Sequence, residues 1–222
     1  MSLLSPADAE RLRQDFAALT SPVRLLFFTQ TIDCDTCVQT RQILDELPAL
    51  SDRISIEEVN VGLDPARAEA YRIDRAPAIA VVLPAEGGAV RDTHIRFLGA
   101  PSGYEFISLI RAILLAGGGP SLLSDESRAL IARVERPLSI HVFSTPTCPH
   151  CPRAVTLAHE MAFANPHITA YAVEATEFPD LAGQYRVTGV PKTVVEGGNE
   201  ILGAIPEPDF VEQALAGLVT AS

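Results

Sequence analysis

The chain has 222 residues, room for two compact units of about 110 residues, each with its own core. Hydrophobic residues make up 47% and charged residues 20%, a globular rather than disordered composition. The formal charge of −11 argues against nucleic acid as a partner, because neutralising phosphates needs clustered Lys and Arg. The opening Met1-Ser2-Leu3-Leu4-Ser5-Pro6 has no basic region followed by an apolar run, so no membrane attachment and a cytoplasmic location are expected.

In chain order, the first element is the apolar, β-branched and aromatic run Val23 to Thr29, which predicts a buried strand. It is followed at once by Cys34-Asp35-Thr36-Cys37 and by a helical pattern of Val38, Ile43, Leu44 and Leu47. Strand is predicted for Ile54 to Val61, a short helix for Pro65 to Tyr71, and strand again for Ala78 to Leu83 after Pro77. Glu86-Gly87-Gly88 supplies a hairpin turn into a last strand, and a helix over Tyr104 to Leu115 closes the unit. Three glycines and a proline in Ala116-Gly117-Gly118-Gly119-Pro120-Ser121 then break the chain, giving units 1–117 and 118–222.

The second unit repeats the first at an offset of 114 residues. Cys34 maps to Cys148, Cys37 to Cys151, Glu46 to Glu160, Pro65 to Pro179, Tyr71-Arg72-Ile73 to Tyr185-Arg186-Val187, and Pro77 to Pro191. The same reading predicts strands over Leu138 to Ser144, Ile168 to Val173 and Thr193 to Val195. Helices are predicted after Cys151, over Pro179 to Tyr185 and over Asp209 to Leu218. Alternating strands and helices ending in a hairpin predict an α/β unit, a mixed sheet with helices on both faces.

All four cysteines lie in the two Cys-x-x-Cys pairs, which leaves none for a structural staple. A cysteine where a strand ends and a helix begins meets unpaired N–H groups and the positive end of the helix dipole, which lower its pKa and make it a nucleophile. The second cysteine of the pair can then resolve a mixed disulfide. Cys34 and Cys148 are accordingly expected to attack, and Cys37 and Cys151 to resolve. Recurrence of Ala76-Pro77-Ala78 and Val190-Pro191-Lys192 at one distance from each pair predicts cis bonds that leave the preceding backbone free to pair with a substrate.

This strand, Cys-x-x-Cys, helix and lone proline resemble the thioredoxin and glutaredoxin superfamily. The doubled arrangement, with Arg72-Ile73-Asp74-Arg75-Ala76-Pro77-Ala78 and Ser144-Thr145-Pro146-Thr147-Cys148-Pro149-His150-Cys151, resembles the two-domain protein disulfide oxidoreductases, or glutaredoxin-like proteins, along nearly the whole of Met1 to Ser222. The resemblance implies two tandem thioredoxin-like domains in one monomeric body, dithiol/disulfide exchange on protein substrates, and no bound cofactor. His150 stands where the family more often has tyrosine, and the first pair encloses Asp35-Thr36. Asp35 opposes a thiolate at Cys34 while His150 favours one at Cys148, which predicts the lower potential for the first pair. Thioredoxins carry a buried Asp six residues before the first cysteine, where this chain has Phe28 and Val142, so another acid or water must move the proton. Glu46 and Glu160, twelve residues after each attacking cysteine, are candidates for that step, with exposed helix charge as the alternative.

Other readings of the pairs remain. Two Cys-x-x-Cys motifs can hold zinc, but 110 residues between Cys37 and Cys148 is far from the usual ligand spacing. A second alternative is an iron–sulfur carrier bridged between monomers or a redox-dead scaffold, the latter opposed by two complete cysteine pairs. Within the redox reading, the chain could be a dedicated electron carrier to a peroxiredoxin, fed by a flavoprotein of the thioredoxin reductase type.

Overall fold

The computed structural model describes residues 3–219, so the outermost positions of the two units, Met1 and Ser222, lie outside the described residues. The first unit comprises α1 (Pro6–Phe16), β1 (Val23–Thr29), α2 (Cys37–Asp45), β2 (Ile54–Asn60), α3 (Pro65–Ala70), β3 (Ala78–Pro84), β4 (Val90–Leu98) and α4 (Glu105–Ala116). The second comprises α5 (Asp125–Ile131), β5 (Leu138–Ser144), α6 (Cys151–Ala164), β6 (Ile168–Glu174), α7 (Pro179–Gln184), β7 (Lys192–Val195), β8 (Glu200–Leu202) and α8 (Glu207–Leu215). Strands β1 and β5 coincide with the two apolar runs that lead into the cysteine pairs.

Helices α1 and α5 have no counterpart among the elements expected from the sequence. Each begins at a serine cap: Ser5 Oγ accepts from the Asp8 N–H at 3.1 Å, and Ser124 Oγ from the Ser127 N–H at 3.2 Å. Such a cap contributes about 1 kcal/mol. The residues before them match, Leu3-Leu4-Ser5 against Leu122-Leu123-Ser124, so the repeat reaches further upstream than the cysteine-centred alignment.

The described strands form one mixed sheet in the order β2-β1-β3-β4-β6-β5-β7-β8. Each unit contributes four, but their sheets are not separate. Strand β4 pairs in parallel with β6, from Ile95 opposite Ala170 to Leu98 opposite Val173. Alternation along the strands builds two cores. Val23, Leu25 and Phe27 of β1 join Leu138, Ile140 and Val142 of β5 on one face, packed against α1, α2, α4, α5, α6 and α8. Leu26, Phe28 and Phe143 face the opposite way, toward Ala68 of α3 and Leu181 of α7. Both cores therefore run through the join between the units, and burying one large apolar side chain in them contributes about 1.5–3 kcal/mol.

Pairing directions fix where the chemistry lies. Strand β1 is antiparallel to β3, β3 to β4, and β4, β6 and β5 run parallel, so β1 and β5 point the same way. Their C-terminal ends, each followed by a cysteine pair, open on one rim of the sheet. Four strand spacings separate them, about 19 Å along an untwisted sheet.

Candidate functional site: two cysteine pairs on one rim

Along this rim the order is the Cys34 loop after β1, Pro77 before β3, Gly99 and Ala100 after β4, Glu174 to Glu177 at the end of β6, the Cys148 loop after β5, and Pro191 before β7. Residues distant in sequence thus become neighbours. Ala78 pairs with Phe28 and Lys192 with Phe143, which brings each proline to the strand end that carries its cysteine pair. Both Ala76–Pro77 and Val190–Pro191 are cis. Each proline carbonyl is held in the same way, accepting from Gly99 N–H at 2.9 Å in one unit and from Gly203 N–H at 2.9 Å in the other.

Cys34 is disulfide-bonded to Cys37, and Cys148 to Cys151, with Cα separations of 5.4 and 5.5 Å. Each pair closes on itself, and no cluster of metal-ligating side chains occurs among the described residues. The second cysteine of each pair is the first residue of its helix. Exposure is graded: Cys34 is half-buried against 6% exposure for Cys37, and Cys148 is 8% exposed against 0% for Cys151. In each pair the cysteine that precedes the helix is thus the more exposed of the two. At the second pair, the Cys151 N–H donates to Cys148 Sγ at 3.1 Å, a bond that would strengthen if the sulfur became anionic. At the first, the Cys37 N–H is directed to the Cys34 carbonyl at 3.3 Å. Asp35 and His150 are exposed, and so are Ile32 (74%) and Val38 (66%) beside the first pair.

Glu46 and Glu160 have equivalent surroundings that the sequence did not suggest. Glu46 accepts from the Leu3 and Leu4 N–H groups, the latter at 3.4 Å, and Glu160 from the Leu122 N–H at 3.0 Å and the Ser121 hydroxyl. Each carboxylate thus holds the segment leading into the first helix of its unit. Glu160 is buried rather than an exposed helix charge. Lys192 is buried as well, donating from Nζ to the Tyr185 carbonyl at 2.7 Å and pairing with Glu200 at 2.9 Å. Arg75 pairs with Asp180 at 3.2 Å and lies over the Phe178 ring, so it ties the first proline loop to the second unit.

A group of acids between the two pairs was not singled out by the sequence. Glu174, at the end of β6, accepts from Thr176 Oγ1 at 2.8 Å and from the Glu177 N–H at 2.6 Å. Glu177 then reaches into the first unit, accepting from the Ala100 N–H at 2.8 Å and from the Thr36 hydroxyl at 2.5 Å. Burial raises its pKa, and the Glu174 charge adds to the effect against the two donors. Glu105, at the start of α4, is 3% exposed, and neither carboxyl oxygen has a hydrogen-bond partner of normal geometry. Burial pushes its pKa up to about 7, with Glu174 acting in the same direction and the Ser108 and Ser144 hydroxyls opposing. The only signal was a pair of acids three residues apart at a strand end, and nothing local says that they face another unit.

Residues 138–216 match the thioredoxin domain family. The chain is 27% identical over 187 residues to an alkyl hydroperoxide reductase component of Escherichia coli, covering 84% of this chain and 33% of the relative. It is 29% identical over 157 residues to the protein of the same name in Xanthomonas campestris, covering 70% and 26%. The chain thus spans a quarter to a third of the length of these curated relatives. Among solved structures, the NTD_N/C domain of the alkylhydroperoxide reductase AhpF from Enterococcus faecalis superposes with a TM-score of 0.86 at 27% identity, covering 94% of this chain and 98% of that one. A protein disulfide oxidoreductase from Aeropyrum pernix gives 0.84 at 26% identity, covering 98% and 96%.

Paired cysteines at helix starts, set at the strand ends of this mixed sheet, define an oxidoreductase of the thioredoxin superfamily. The chain is a two-domain member of that superfamily, carrying one Cys-x-x-Cys disulfide in each half.

Proposed function

We propose that the chain catalyses dithiol/disulfide exchange with protein substrates, through Cys34/Cys37 in a unit ending at Gly117 and Cys148/Cys151 in a unit beginning at Gly118. The observation that carries this reading is the graded exposure of each pair. The cysteine before the helix is the accessible one, and the cysteine inside the helix lies beneath it.

In the reducing direction, the Cys34 or Cys148 thiolate attacks one sulfur of a substrate disulfide. A mixed disulfide forms, and the other substrate sulfur leaves as a thiolate that takes a proton from solvent. Cys37 or Cys151, deprotonated, then attacks the mixed disulfide at the enzyme sulfur and expels the second substrate thiolate. Two electrons have passed to the substrate, and the enzyme ends as the disulfide. The backbone beside each cis-proline, at a strand start on the same rim, offers the substrate chain a pairing edge. The curated relatives are named for hydroperoxide reduction, which supports one narrower setting for this chain: electron transfer to a peroxiredoxin from a flavoprotein of the thioredoxin reductase type.

The test is insulin reduction with dithiothreitol by the intact protein, alongside the Cys37→Ser and Cys151→Ser variants. The expected result is turnover by the intact protein, with each variant accumulating a mixed disulfide at Cys34 or Cys148. A rate equal to dithiothreitol alone, with nothing trapped, overturns the proposal. Peroxide-dependent oxidation of a nicotinamide cofactor by a purified flavoprotein and peroxiredoxin, only when this chain is added, would support the narrower setting.

A further inference from the structure

The first cysteine pair is not completed by its own unit. Thr36 precedes Cys37 and occupies the cap position of α2, where a threonine hydroxyl commonly accepts from its own helix. Here it makes no such bond and donates instead to Glu177 of the second unit. The approach is tight. A Cβ on Gly99 would lie 2.6 Å from Glu174 Cβ and 3.2 Å from Glu177 Cδ, and Gly99 has φ +98°, so backbone that only glycine adopts readily lets the acids reach the first unit. Among the described residues no cation pairs with Glu174 or Glu177, whose donors are hydroxyl and backbone N–H groups.

We propose that Glu177 is a positioning residue of the first redox pair, donated by the second unit, whose carboxylate holds Thr36 and biases Cys34/Cys37 toward the disulfide. This deepens the exchange reading above and rests on it. Reducing the Cys34–Cys37 disulfide takes two electrons and two protons and gives two thiols, one of which must ionise to act. A carboxylate held one residue from Cys37 by an uncharged donor opposes that ionisation and lowers the potential of the pair. Among the described residues no carboxylate is hydrogen-bonded to the residues from Cys148 to Cys151, and the Cys148 sulfur instead accepts an N–H. The charge facing Glu177 is Glu174 on its own loop, which acts in turn on Glu105 from α4, so the surroundings are acidic and reinforce the bias while they are ionised.

The experiment uses the full chain with Cys148→Ser and Cys151→Ser, so that only the first pair titrates. Its equilibrium with reduced and oxidised dithiothreitol is compared with the same protein carrying Glu177→Gln, which removes the charge and keeps an acceptor oxygen, or Thr36→Val, which removes the tether. Glu177→Gln is expected to shift the equilibrium about tenfold toward the dithiol, about 30 mV for a two-electron couple. It should also move the pH midpoint of Cys34 alkylation downward. Thr36→Val should act in the same direction by a smaller factor, because a carboxylate that loses a donor is less readily ionised. Equilibria within twofold of the parent and an unmoved alkylation midpoint in both variants overturn the proposal. If the parent equilibrates normally but never reduces insulin, the exchange reading fails for this pair while the Glu177 effect is still read from the titration.

Discussion

Glu105 sets up a stability prediction with an unusual sign. Its carboxyl group is buried at the join, and its pKa is pushed from 4.5 to about 7. Well below pH 4.5 the group is neutral in folded and unfolded chains alike and adds no pH dependence to stability. Between those values the unfolded chain ionises while the folded one does not, so folding must suppress an ionisation, and the cost grows with pH until the folded group also ionises near 7. Two and a half pH units at about 1.36 kcal/mol each give a penalty of about 3 kcal/mol above pH 7. Glu105→Gln keeps the shape and removes the titration. Urea denaturation of the oxidised protein should therefore show the variant about 3 kcal/mol more stable relative to wild type at pH 8 than at pH 4, through a higher midpoint with little change in slope. An equal difference between the proteins at both pH values would refute the reasoning, because an uncharged packing effect does not depend on pH.

Two further expectations concern the same join. His159 is buried on α6, edge-on to Phe97 with ring centroids 4.8 Å apart, and burial pushes its pKa down to about 3. Its neutral form is the folded form, so its contribution is complete above pH 6.5 and is lost as pH falls toward 3. At pH 5 the loss is about 2 kcal/mol, and His159→Met should remove that acid-side loss in the same denaturation series, whereas an unchanged acid slope contradicts it. Gly103, at φ +59°, faces the Pro146 carbonyl oxygen, which an added Cβ would approach to 2.2 Å, and Gly99 presses on Glu174. Alanine at either position should cost about 2–4 kcal/mol in thermal or urea unfolding. A cost below about 0.5 kcal/mol would mean that the two units do not press together there.

Between about pH 4.5 and 6.5 the costs at Glu105 and His159 run in opposite directions, so these two contributions offset each other there and each single variant exposes the slope of the other. Nothing local in the sequence marks Glu105 as buried. Local physics was legible: the runs Val23 to Thr29 and Leu138 to Ser144, the turns at paired glycines, and the prolines at a fixed distance from each pair all depend on residues near them in the chain. Helices α1 and α5 were also writable from their serine caps, but they precede the region where the two copies align from the cysteines. The fused sheet was half-written. Ile54-Ser55-Ile56-Glu57-Glu58-Val59-Asn60 carries two adjacent acids and forms an edge, whereas its counterpart Ile168-Thr169-Ala170-Tyr171-Ala172-Val173-Glu174 has no charge before its last residue and is buried throughout. A strand buried along its whole length needs neighbours on both sides. In the first unit β2 has only β1 beside it, so the uncharged copy had to find a second partner outside its own unit, and β4 is the strand that meets it. That pairing in turn carries Glu174 and Glu177 to Gly99 and Thr36, so the part of the site that the sequence hid follows from the one strand contact that no local pattern specifies.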